Sequence, residues 1–173
     1  LEEVGLYSAI FQLSALISVV AASFNAAWIP WLFEQLKKDE HNARLFIVKL
    51  SYALKAGFIV LASIFAVALP ILIKIMLTED YISSSYLGYF FIVGFLFQAL
   101  YFIVVPYIFY TERTKFLSIY STIAAVLNLS LNIILIPRYG LTGAALSTCV
   151  AWAMLYLLTF RCSVKLYKMP WQL

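Results

Sequence analysis

Charge is scarce in this chain: 12% of its 173 residues are Asp, Glu, Lys or Arg, where a soluble domain carries about 25%. With 65% hydrophobic residues and a mean hydropathy of +0.97, a soluble fold is excluded, because a chain this size has no interior large enough for that much apolar surface. Acids are the rarest charge. Glu2, Glu3, Glu34, Asp39, Glu40, Glu79, Asp80 and Glu112 all lie at or beyond the ends of the apolar runs, so no carboxylate pair faces another within them. There is one histidine, His41, between Glu40 and Asn42, and two cysteines, Cys149 and Cys162, at no metal or redox spacing. The cysteines read as packing residues and the histidine as part of a solvated turn. No glycine-rich phosphate loop is present, and no nucleophile sits beside a base. These absences argue against an enzyme and imply no cofactor and no metal. The formal charge of +4 comes from cations gathered beside apolar runs, so it reports topology and implies no nucleic acid partner.

What is present is long apolar runs. A bilayer core of about 30 Å takes roughly 20 helical residues at about 1.5 Å each. Five stretches meet that demand, 6–32, 51–73, 86–107, 115–136 and 141–160, and predict an all-α, polytopic transmembrane helix bundle in one region covering 1–173. Lys37, Lys38, Arg44, Lys49, Arg113, Lys115, Arg161, Lys165 and Lys168 fall on one side of it, against Lys74 and Arg138 on the other. By the positive-inside rule the first set, and with it the C-terminal tail, is cytoplasmic. Trp28, Trp31, Tyr52, Tyr81, Tyr86, Tyr107, Tyr110, Tyr139, Tyr167 and Trp171 are expected at span ends as interfacial anchors. Pro30, Pro70 and Pro106 read as plain bends, or as kinks packed against protein or lining a cavity, because a carbonyl freed in lipid needs an internal partner.

The stretch 128–148, NLSLNIILIPRYGLTGAALST, predicts a hairpin. Pro137 is expected to end one helix and Gly140 to permit positive φ, so the chain reverses in about four residues. Gly143, Ser147 and Ala151 then recur every fourth position, a small-residue stripe that lets another backbone approach. Polar groups inside the spans are few enough to name. Asn25, Gln98, Asn128 and Asn132, with Gln12, are the intramembrane amides. They serve either helix-to-helix hydrogen bonding or contact with sugar hydroxyls in a wet cleft, with Tyr101 almost a turn beyond Gln98. Lys55 is the only cation clearly inside a span; it either snorkels to the interface or faces a cavity that attracts an anion. Arg113 and Lys115 read as membrane-lipid anchors or as guides for a pyrophosphate at the cytoplasmic mouth.

The paired asparagines, Ile-Pro, an aromatic, Gly, and Gly-Ala-Ala followed by Ser-Thr resemble the C-terminal half of polysaccharide flippases, the Wzx-like branch of the multidrug/oligosaccharidyl-lipid/polysaccharide exporter superfamily. VGLYSAIFQL (4–13), FNAAWIPWLFE (24–34) and YTERTKF (110–116) match in the same order. The resemblance covers nearly the whole chain, which opens on Leu1-Glu2-Glu3 and so reads as a fragment of a two-half transporter. It implies alternating access around a midplane cavity. The implied cargo is an oligosaccharide on undecaprenyl diphosphate, moved across a bacterial cytoplasmic (inner) membrane for O-antigen or capsule synthesis. A polysaccharide polymerase or other assembly proteins are its implied partners. A drug or cation antiporter of the same superfamily, a lipid II flippase and a non-transporting scaffold are the alternatives.

Overall fold

Apolar runs leave the backbone no solvent to bond, so each must satisfy its own N–H and C=O groups, and helices result. The computed structural model, which describes residues 2–38, 41–76 and 85–171, consists of α1 (Glu2–Ser14), α2 (Leu16–Lys37), α3 (His41–Met76), α4 (Tyr86–Tyr110), α5 (Lys115–Tyr139) and α6 (Leu141–Leu166). Among the described residues there is no strand. α1 and α2 act as one length, and five helices are long and apolar enough to cross a membrane. The all-α, five-span expectation is met.

The boundaries differ in instructive ways. The first span is interrupted at Ala15, where Ser14 turns its hydroxyl back on the Ile10 carbonyl at 2.9 Å and faces the Gly88 carbonyl; such back-bonding bends helices. The segment after the first span was expected to be a loop, but α3 begins at His41 and runs 36 residues, about 54 Å. Its first turns bury Ile47 and Val48 against Leu32 and Leu36, so an amphipathic end extends a helix that the membrane core alone would have stopped. Pro137 does not end α5. The helix continues through Tyr139, and Gly140, at φ 54 and ψ −132, makes the reversal alone. A proline in a last turn removes one hydrogen bond where the ladder is ending anyway.

α4 is the hub, packed against α1, α2, α3 and α6, while α5 is held chiefly by α6. Two expected anchors are instead part of this core. Trp28 is buried and donates its indole N–H to the Ile103 carbonyl at 3.2 Å, in the turn before the buried Pro106. Tyr107 is buried with its hydroxyl beside Ser51. Both rings sit where helices cross, and there an amphipathic ring serves packing. Tyr81 lies outside the described residues.

At one end of the bundle, Phe33 meets Tyr110, Tyr110 meets Tyr167, and the Arg44 guanidinium lies 5.6 Å from the Tyr167 ring centre. These contacts gather the ends of α2, α4 and α6 and the start of α3. The basic segments that the charge count assigned to one side do share one end.

Candidate functional site: a mid-span groove between α5 and α6

The α5–α6 hairpin has a simple register. Ser147 donates to the Asn132 side-chain oxygen, and a Cβ on Gly143 would stand 2.6 Å from the Leu135 carbonyl. Positions facing across the hairpin therefore sum to about 279, from 132 and 147 or 135 and 143. Continuing that sum sets Asn128 opposite Ala151 and Ala124 opposite Leu155. The small stripe thus seats α5 itself.

Asn132 also donates its amide N–H to Asn128 at 3.1 Å, so the two asparagines and Ser147 form one polar chain. Beyond it the facing residues are too small to fill the seam. A groove of about 270 Å³ opens there, lined by Ala124, Asn128, Thr148, Ala151, Trp152 and Leu155 among others. Thr148 gives its hydroxyl to the Ala144 carbonyl and is reached by Tyr7 of α1. Trp152 meets Tyr101 of α4 with ring centres 6.3 Å apart.

Gln98 belongs to the same side of α4. It lies one turn after Gly94, which abuts Cys149 of α6, and just before Tyr101. Its side-chain oxygen is buried without a hydrogen-bond partner among the described residues, as is that of Asn25. The first span, α1 and α2 together, runs parallel to α4, with Ser14 of α1 at Gly88 and Trp28 of α2 at Ile103, offsets of 74 and 75. That register brings Asn25 level with residues 99–100, one or two positions from Gln98. Two unsatisfied amide oxygens at one depth are costly, about 1–3 kcal/mol each when nothing pairs with them.

The remaining expected site residues lie elsewhere. Lys55 neither snorkels freely nor faces the groove: its ammonium stands 5.2, 4.9 and 5.1 Å from the ring centres of Tyr52, Phe160 and Trp171. Arg113 and Lys115 are exposed in the α4–α5 turn at the basic end of the bundle, with the Lys115 ammonium over Phe116. Gln12 is exposed in α1 and lines a separate groove with Leu16 and Met76. The structure therefore brings Asn128, Asn132 and Tyr101 together, sets Gln98 and Asn25 near their depth, and separates Lys55, Arg113 and Lys115 from them. Thr148 is the groove residue the sequence reading missed as a site. The four-residue stripe carried the signal, since it set the hairpin register that brings Thr148 beside Asn128. Among the described residues no His, Cys, Asp and Glu gather in a set able to hold a metal.

Helices of this length and apolarity, five in one bundle, define a multi-pass membrane protein of the all-α class. No protein-family model, no curated protein and no solved structure matches the chain.

Proposed function

We propose that the chain is part of a flippase that carries an oligosaccharide linked to undecaprenyl diphosphate across the bacterial cytoplasmic membrane, with the basic end and C-terminal tail inside. The observation that carries the reading is the pair of buried, unpartnered amide oxygens of Asn25 and Gln98 at one depth. They lie at about the depth of a groove bearing Asn128, Thr148 and Trp152. Amide oxygens accept hydrogen bonds from sugar hydroxyls, and aromatic faces cover the apolar faces of sugar rings. A hydrophobic drug would leave those acceptors unpaired. Both oxygens are uncharged, which suits the glycan portion of the cargo, while the diphosphate belongs near the cations of the basic end. Alternating access against a second half, as the resemblance implies, would expose such a mid-span site to each side in turn.

The test is complementation of a flippase-deleted strain with the full-length gene, at matched expression. Gln98→Ala and Asn25→Ala each remove one acceptor, expected to slow transport roughly five-fold at about 1 kcal/mol per hydrogen bond. Lipid-linked intermediate should accumulate inside. Full activity in both variants with unchanged thermal stability would sink the sugar-binding role. A large loss of stability in place of the transport defect would return the amides to helix packing.

A further inference from the structure

Arg161 and Lys165 stand one turn apart on α6, so their side chains share a face. Both are exposed, and neither meets an acidic partner among the described residues. They flank a second groove, of about 370 Å³, between the start of α5 and the end of α6, walled by Phe116, Tyr120, Leu158 and Cys162. Tyr120 and Cys162 face the groove together, one from each helix. The depth is informative. Twenty residues of α6 separate Leu141 from Arg161, about 30 Å of helix, one hydrocarbon thickness. The groove is therefore apolar on its membrane side and cationic at headgroup level, with a tyrosine at the boundary where such rings settle.

We propose that this notch binds an anionic glycerophospholipid, with the headgroup phosphate between Arg161 and Lys165 and one acyl chain along Leu158. Charge complementarity selects the occupant. A zwitterionic headgroup would add a cation beside two already present, and a soluble anion would leave the apolar wall uncovered. Arg161 offers paired N–H donors in a planar fork and Lys165 a point charge, a combination suited to a phosphate monoanion. The site is distinct from the mid-span groove and stands whether or not the chain is a flippase.

Native mass spectrometry of the purified protein, titrated with phosphatidylglycerol or with phosphatidylcholine, decides it. The wild type is expected to retain phosphatidylglycerol and release phosphatidylcholine. Each cation at an anionic lipid contributes a factor of about five, so Arg161→Gln with Lys165→Gln should weaken retention roughly 25-fold. Arg161→Lys should keep most of it, and raising salt should erode it. Leu158→Trp should block the chain with both charges intact, while Lys37→Gln with Lys38→Gln, at the same end but outside the notch, should change nothing. Equal retention of the two lipids, or an equal loss in the Lys37 and Lys38 variant, would overturn the proposal in favour of a diffuse surface field. Displacement by millimolar inorganic phosphate would overturn it in favour of a free anion.

Discussion

Lys55 shows how a cation is kept in an apolar helix without a carboxylate. Its charge is met by three ring faces drawn from α3, α6 and the segment after α6, and Tyr52 locks that segment by donating its hydroxyl to the Trp171 carbonyl at 2.9 Å. Cation–π contacts are worth about 2 kcal/mol when desolvated, so the pair Lys55 and Trp171 should be coupled. In a double-mutant cycle of Lys55→Met and Trp171→Ala, read by thermal unfolding in detergent, a coupling of about 1–2 kcal/mol is expected. Strictly additive losses would mean that the rings pack for their own area and the ammonium is incidental. Glu112 is the other unusual residue. It holds φ 56 just past α4, with Arg113 bonding back to Ile108 and its own N–H to Phe109, a helix stop that favours glycine. Glu112→Gly should remove a left-handed cost of about 1 kcal/mol while loosening the unfolded chain, a net gain of about 0.5 kcal/mol. A gain in stability accompanied by weaker complementation of the flippase-deleted strain would assign the carboxylate a part in the proposed function; unchanged complementation would leave it as a turn residue.

At the scale of the element, the α5–α6 hairpin depends on one missing side chain. The Cβ of an alanine at 143 would press on the Leu135 backbone at 2.6 Å, and backbone cannot swing aside. Gly143→Ala should cost about 1–3 kcal/mol and open the seam, separating Ser147 from Asn132. Hydrogen exchange confined to α5 should rise, and exchange in α2 and α4 should hold. An unchanged α5 would show that the helices slide past the methyl group. This hairpin was the most legible part of the sequence, because its spacing, glycine and chain reversal are all local. The spans were legible for the same reason, since length and apolarity decide them. What stayed hidden depends on distant partners. The cage around Lys55 joins residues more than a hundred positions apart, and Trp28 reads as an interfacial ring until Ile103, 75 positions away, accepts its N–H. The length of α3 was also hidden, because its first turns are amphipathic and are held by Leu32 and Leu36.

At the scale of the molecule, the helices differ in how they are held. α4 buries residues on nearly every side, with Phe91, Ala99, Ile103, Tyr107 and Ile108 all closed to solvent. α5 buries only Ala124 and turns Val126, Leu129, Ile133 and Ile134 outward. In water that surface would be untenable, but in lipid it costs nothing, so α5 can be fixed by a single neighbour. The consequence is a hierarchy of opening. In detergent, where water reaches a helix that has left its partner, α5 should exchange its amides fastest among α2 to α6 and α4 slowest, by at least tenfold. Adding lipid should protect α5 far more than α4, because the bilayer replaces the contacts that protein does not supply. If α5 and α4 exchange together in detergent, the bundle opens as one cooperative unit and the outer helix is no weaker than the hub. If they separate as expected, α5 is the element free to shift against α6, and the mid-span groove that lies between them can change width without disturbing the core around α4.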